Sequence, residues 1–185
     1  MPMNRDCKYQ DAWTRVAEHY ADGYCVSERG LQASLASSLG DNFPENKIVV
    51  EPSWKSDCGH WIPDMVMLAN GCITDIFELK FVPHHYASYQ NDLDKLASYI
   101  ADPDAQFCAQ LEPSTGQWIG RNASLASDCM VHFVVVSRHD ADAIDAKAIK
   151  KYWSPKEAPG RLTLWQGPVG GGNFKPGSWR VEPGI

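Results

Sequence analysis

Apolar and polar residues follow two different periods along this chain, and the order of those periods predicts its secondary structure. Apolar side chains three or four positions apart are typical of amphipathic helices, whereas β-branched runs and strict alternation are typical of strands. Helical spacing occupies residues 6–22, 27–40, 84–100 and 141–153. Strand patterns occupy residues 48–50, 64–68, 73–82, 130–137 and 161–165. This order predicts an α/β fold with a mixed central β-sheet flanked by helices.

Two further stretches lack a regular period. Residues 101–128 are punctuated by Pro, Gly and Ser and predict a long irregular connection, and the tail over 167–185 is rich in Gly and Pro. The chain has 185 residues, with no internal repeat and no domain-scale linker. That length is ordinary for one domain with a substantial core, so we expect a single domain over residues 1–185.

Composition and charge narrow the class of protein. The hydrophobic fraction of 44% and the charged fraction of 22% exclude a disordered chain, and no apolar run approaches the roughly 20 residues that cross a bilayer. The six cysteines form no C-x-x-C pair and the N-terminus has no apolar signal segment, so we expect reduced thiols in a cytoplasmic protein. The net charge of -6 argues against non-specific coating of nucleic acid, so a nucleic-acid partner would need a local basic face.

Candidate chemistry is concentrated in the predicted hairpin. Pro63-Asp64 opens its first strand, and Glu78-Leu79-Lys80 lies in the second strand, where Glu78 and Lys80 share one face of the sheet. A strict two-residue turn at Asn70-Gly71 would place Asp64 on the opposite face from Glu78. A three- or five-residue loop, or one bulge, would pair Asp64 with Glu78 instead.

The second register suits metal-dependent chemistry. Two carboxylates a few ångströms apart repel each other unless a divalent cation lies between them, and Mg²⁺ takes such sites. Beside them, the Lys80 ammonium would position an attacking water or neutralise developing charge. We therefore expect hydrolysis of a phosphodiester, with Mg²⁺ or Mn²⁺ as the cofactor.

At these residues the chain resembles the PD-(D/E)xK superfamily of restriction-endonuclease-like nucleases, through Pro63-Asp64 and Glu78-Leu79-Lys80. The predicted order of helix, three strands, helix and strand over residues 27–137 is similar to the core of that family, with a C-terminal helix, strand and tail over 138–185. The resemblance implies that Asp64 and Glu78 are metal ligands, joined by the carbonyl of Leu79, and that Lys80 is the catalytic lysine. It also implies that Glu28, on the helix before the sheet, completes the site.

For several residues a structural role competes with a functional one. A glutamate in the first turn of a helix is stabilised by the helix dipole, which explains Glu28 equally well. Glu51 could reach the metal, although a solvated charge at a strand end is the better interpretation. Gln90, Asp94 and Lys95 could face a substrate, but we expect them to be exposed to solvent.

The expected function is that of a Mg²⁺-dependent DNA endonuclease. The candidate basic face for phosphate contacts consists of Lys147, Lys150, Lys151 and Arg138. A solvent-exposed helix face would explain these residues equally well. Symmetric cutting of double-stranded DNA would need a homodimer. Two alternatives stay open: a nuclease that acts on RNA, and a catalytically inactive binding module of the same fold within a defence or repair assembly. No membrane association is expected.

Overall fold

Two capped helices form the N-terminal part of the structure. The structure is a computed structural model, and it describes residues 4–55, 62–84, 89–101, 106–108, 114, 123–138, 153, 161–169 and 178–183. Helix α1 covers Arg5–Ala21 and helix α2 covers Glu28–Asn42. Ser27 is the N-cap of α2, as predicted, because its hydroxyl accepts a hydrogen bond from the Gly30 N–H at 3.1 Å. Helix α2 continues past the predicted end at Gly40, since one glycine does not stop a helix whose apolar side packs on the sheet.

The rest of the described chain forms eight strands and one more helix. Helix α3 covers Gln90–Ala101. The strands are β1 (Lys47–Val50), β2 (Ser53–Lys55), β3 (Met65–Ala69), β4 (Cys72–Val82), β5 (Gln106–Cys108), β6 (Ser124–Ser137), β7 (Leu162–Pro168) and β8 (Arg180–Glu182). Six of them form one sheet in the order β1-β3-β4-β6-β7-β8, and β2 pairs with β5. In the large sheet β4, β6 and β7 run parallel, whereas the other neighbouring pairs are antiparallel.

Helices cover both faces of the large sheet. Alternate residues of β4 enter different cores: Phe77 and Leu79 pack with α1 and α2, whereas Ile76 packs with α3. Glu78 and Lys80 follow Ile76 at intervals of two and therefore lie on the α3 face. These layers confirm the predicted α/β fold with a mixed central sheet flanked by helices. In the described part of the chain, no helix is both long enough and apolar enough to span a membrane.

The hairpin between β3 and β4 combines a tight turn with a bulge. Asn70 and Gly71 have φ angles of 52° and 80°, which fit a two-residue turn that closes the pair Ala69–Cys72. Thr74 is then an extra residue of β4, because Leu68 pairs with Ile73 and Met67 pairs with Asp75. The shifted register continues to the pair Met65–Phe77. Extended by one residue beyond β3, this register sets Asp64 level with Glu78, and the bulge itself agrees with the alternative that includes one.

Several boundaries differ from the prediction. The prediction of a long irregular connection over 101–128 is wrong in part, since this stretch contains β5 and the first residues of β6. These segments lack the alternation that predicts strands. They are strands because β5 pairs with β2 and the first residues of β6 pair with β4. Helix α3 begins at Gln90, whereas residues 85–88 of the predicted helix lie outside the described residues. The predicted helix over 141–153, with its three lysines, also lies outside them apart from Trp153.

Candidate active site

Asp64 is held rigidly just before β3. Its carbonyl accepts hydrogen bonds from the Glu51 N–H at 2.9 Å and from the Gln32 side chain at 2.8 Å. Its carboxylate Oδ2 accepts a third hydrogen bond, from the Leu79 N–H at 2.6 Å. This last hydrogen bond fixes the Asp64 side chain against β4 at Leu79, the residue next to Glu78.

Glu78 is a buried carboxylate on the α3 face of the sheet, with 5% of its surface exposed. One oxygen, Oε1, lies 2.6 Å from the Nζ atom of Lys95, which comes from α3. The other oxygen, Oε2, is buried and has no hydrogen-bond partner among the described residues. An unpaired buried carboxylate oxygen is costly, so this atom marks a position where a donor or a cation would be stabilising.

The two carboxyl groups influence each other electrostatically. Burial raises the pKa of Glu78 to about 8; the nearby Asp64 and Asp92 carboxylates add to this rise, and the Lys95 ammonium opposes it. Burial also raises the pKa of Asp64. The hydrogen bond from the Leu79 N–H and the charge of Lys95 lower this pKa, because they favour the charged form, but they do not outweigh burial. Burial raises the pKa of the Tyr99 phenol as well, and the charges of Glu78 and Asp64 raise it further. The α3 face therefore concentrates negative charge around Glu78.

Lys80 also faces α3, but its ammonium contacts a different carboxylate. Its Nζ atom lies 3.3 Å from Oδ2 of Asp92, in the first turn of α3. The two side chains are 32% and 18% exposed, so this ion pair lies at the rim of the core. The structure therefore brings Lys80 to the same face as Glu78 and pairs it with Asp92.

Glu28 lies on the other side of Asp64, at the first residue of α2. Its Oε2 atom accepts a hydrogen bond from the Phe81 N–H at 3.3 Å, which anchors the helix start to β4. Glu28 and Asp64 line one small cavity of about 100 Å³. The other lining residues are Arg29, Gln32, Glu51 and Leu79. Glu28 and Asp64 are thus brought together, with the exposed Glu51 at the same opening.

The donors fit a divalent cation with few protein ligands. Within the described residues, no group of three or more His, Cys, Asp or Glu side chains converges on one metal position. Mg²⁺, however, is usually held by one or two carboxylates and keeps several waters. The unpartnered Oε2 of Glu78 and the raised pKa values of Asp64 and Glu78 are consistent with a site that lacks its counter-charge. The carboxylate pair therefore fits Mg²⁺, and the Leu79 carbonyl stays a predicted ligand.

Two site residues were not predicted from the sequence. Lys95 was expected to be solvent-exposed, but it is 19% exposed and pairs with Glu78, because α3 turns this side chain towards the sheet. Asp92 was not considered. Both share a helical face with the buried Leu96 and Tyr99, at spacings of three, four and seven residues from Asp92. That spacing was the available signal.

A second buried polar cluster lies on the opposite face of β4, beneath α1. Asp75 is fully buried and its carboxylate contacts Arg5 and Tyr9 of α1. His132 of β6 lies within 2.9 Å of the same carboxylate, and Trp165 of β7 donates to His132 Nδ1 at 3.0 Å. Since an indole N–H can only donate, Nδ1 is the acceptor and the His132 proton is on Nε2, facing Asp75.

The charge state of this cluster follows from its hydrogen bonds. Burial alone would raise the pKa of Asp75, but the hydrogen bond from His132 and the charge of Arg5 outweigh it, so that the pKa is lowered. Burial lowers the pKa of His132, which keeps the imidazole neutral. The sequence signal for this cluster was weak: one aspartate and one histidine inside apolar strands.

Comparisons with protein-family models, with curated proteins and with solved structures gave no match for this chain.

Proposed function

We propose that this protein is a Mg²⁺-dependent nuclease with a restriction-endonuclease-like core, and that DNA is its substrate. The observation that carries the proposal is the bulge at Thr74, which sets Asp64 opposite Glu78. A half-buried and a buried carboxylate so placed, with Lys80 and Lys95 close by, are an unfavourable arrangement unless they bind a cation. The order α2, β1, β3, β4, α3, β6 supports the resemblance to the PD-(D/E)xK core.

Each side chain has a role in this proposal. Asp64 and Glu78 would hold Mg²⁺ with the Leu79 carbonyl, and Glu28 would hold a water at the mouth of the cavity. Bound Mg²⁺ supplies polarisation of the scissile phosphate and a more acidic water. Lys80 orients the attacking water and neutralises charge that develops on the phosphate, for which its ammonium moves away from Asp92. Symmetric cutting of double-stranded DNA would additionally require two copies of the chain.

The test combines metal binding with cleavage. Mg²⁺ and Mn²⁺ are titrated by calorimetry into the wild type and Glu78→Gln, and the same samples are incubated with plasmid DNA. We expect Glu78→Gln to lose metal binding and at least about 100-fold of the cleavage rate, as for removal of a group that stabilises the transition state. The control is Asp11→Asn, which removes an exposed carboxylate of α1. Cleavage by Glu78→Gln at the wild-type rate would contradict the assignment.

A second candidate function has one observation in its favour. Both lysines of the α3 face already pair with carboxylates, Lys80 with Asp92 and Lys95 with Glu78, so the face is partly neutralised without a metal. Such neutralisation is also expected of an inactive binding module of the same fold. Absence of both metal binding and cleavage of DNA and RNA would favour that module, whereas cleavage of RNA alone would change only the substrate.

A further inference from the structure

The ion pair between Lys95 and Glu78 is the closest charged contact described at the candidate site. The Nζ–Oε1 distance is 2.6 Å, against 3.3 Å for the pair between Lys80 and Asp92. The side chains of Lys95 and Glu78 are 19% and 7% exposed, so water screens their attraction poorly. Leu96, the next residue of α3, is fully buried against the sheet and fixes the helix at this position.

A buried carboxylate of this kind requires a counter-charge. Lys95 supplies one to Oε1, while Oε2 has no hydrogen-bond partner within the part of the chain that the structure describes. A divalent ion held by Asp64 and Glu78 would supply two positive charges at the same carboxylate. Because like charges a few ångströms apart repel, the ion and the Lys95 ammonium would then compete for Glu78.

We propose that Lys95 is an internal counter-cation, which neutralises Glu78 while no divalent ion is bound and which the ion displaces from that carboxylate. The inference rests on the proposed function, since it takes Asp64 and Glu78 as the ligands. Lys95 is then a positioning residue that holds the Glu78 side chain in place and favours its ionised form in the metal-free protein. Its release on metal binding leaves a positive charge at the rim of α3, where a phosphate could take the place of Glu78.

The test measures metal affinity and metal-free stability together. Mn²⁺ and Mg²⁺ are titrated by calorimetry into wild type, Lys95→Met, Lys95→Gln and Lys95→Arg, and thermal midpoints are recorded in a chelator. Removing one competing charge next to the ion should lower the Kd of Lys95→Met and Lys95→Gln by roughly tenfold. The same variants should melt at a lower temperature than wild type in the chelator. Lys95→Arg keeps the cation and should restore both values towards wild type.

Two other lysines provide controls. Lys8 is a matched lysine far from the site: it is 22% exposed and pairs with Glu45 at 3.6 Å, so Lys8→Met should leave the Kd unchanged. Lys80→Met removes a charge from the same face but from a different carboxylate, and its effect on the Kd should be clearly smaller than that of Lys95→Met. Equal effects of Lys80→Met and Lys95→Met would overturn the inference, because general charge and not the contact with Glu78 would then set the affinity.

The outcomes separate this inference from the proposed function. If the wild type binds metal and Lys95→Met binds it with the same Kd, the inference is wrong and the metal site stands. If the wild type binds no metal and Lys95→Met binds it, Lys95 competes strongly and the inference is supported. If folded wild type and folded Lys95 variants all fail to bind, the proposed function and the inference both fail. Circular dichroism of Lys95→Gln, which keeps a polar side chain, shows whether a lost signal reflects unfolding.

Discussion

At the scale of single residues, the most constrained polar side chain in the described structure is Asp75. It is fully buried, and its carboxylate receives hydrogen bonds from Arg5 and Tyr9 of α1, from His132 of β6 and from Thr74 of β4, the last at 2.7 Å. A carboxylate with several donors is stabilised in its charged form, which explains the lowered pKa of Asp75. The cluster therefore fastens α1 to the middle of the sheet through polar contacts.

Replacing Asp75 by Asn tests that role. The variant loses the charge that faces Arg5 and directs an amide N–H₂ at groups that are themselves donors. We expect the free energy of unfolding to fall by about 2–4 kcal/mol, as for a broken buried pair. Urea denaturation measures the change, and Asp11→Asn on the exposed side of α1 is the control, expected within about 0.5 kcal/mol of wild type. Equal stability of the two variants would mean that the cluster contributes nothing.

Residue identity predicted part of the candidate site, and geometry was needed for the rest. Asp64, Glu78 and Lys80 could be singled out because charged residues within an apolar hairpin are unusual. Lys95 could not be assigned to Glu78 from sequence, because the docking angle of α3 decides whether a residue beside its apolar stripe faces the sheet or solvent. Asp92 was missed for the same reason.

At the scale of elements, the bulge in β4 determines which residues meet. The turn at Asn70-Gly71 is readily predicted, but alone it would place Asp64 on the wrong face. Ile73 and Ile76 nevertheless belong to the same core, although they are three residues apart. An interval of three within one face of a strand requires an extra residue, but both faces of β4 are buried, so the sequence alone could not assign the two isoleucines to one core.

Two glycines of regular elements have opposite expected responses to alanine. In β7, a Cβ atom on Gly167 would lie 3.0–3.1 Å from the ring of Trp179, which is 2% exposed and also packs on Trp13. We expect Gly167→Ala to cost about 1–3 kcal/mol by overpacking. In α2, a Cβ atom on Gly40 would meet nothing within 4 Å, so Gly40→Ala should stabilise the protein by about 0.5–1 kcal/mol.

Chemical denaturation of both variants measures these changes in one experiment. The comparison is internal, because the same methyl group is added in each case. A neutral Gly167→Ala would show that Trp179 moves aside without loss, and the close approach of β7 to this ring would then not be a constraint.

At the scale of the whole molecule, β4 links the two polar centres. Asp75 faces α1 and Glu78 faces α3, three positions later on the same strand. The strand is central and is paired on both sides, so the candidate site has a rigid base. Because the net charge of the protein is -6, attraction of the proposed nucleic-acid substrate would depend on local cations. The described site has Arg29, Lys80 and Lys95.

The two centres respond to pH in opposite ways. The pKa of Glu78 is raised from 4.5 to about 8, so the folded protein binds the extra proton between these values and loses stability as the pH rises through them. The pKa of His132 is lowered from 6.5, so the unfolded protein binds the extra proton and stability falls as the pH drops below 6.5. The pKa of Asp75 is lowered from 3.8, and its contribution is lost only at still more acidic pH.

Above pH 6.5 the His132 effect fades and the Glu78 effect dominates among these groups, so the metal-free protein should become less stable as the pH rises towards about 8. Urea unfolding in a chelator at several pH values measures the slope. Glu78→Gln cannot ionise and should flatten it, and saturating Mg²⁺ should flatten it as well if Asp64 and Glu78 bind the ion. A flat wild-type profile in the chelator would mean that Glu78 ionises in the folded protein without cost. If Glu78→Gln abolishes the slope but Mg²⁺ leaves it unchanged, then Glu78 is the buried group that causes the slope, but it is not a metal ligand.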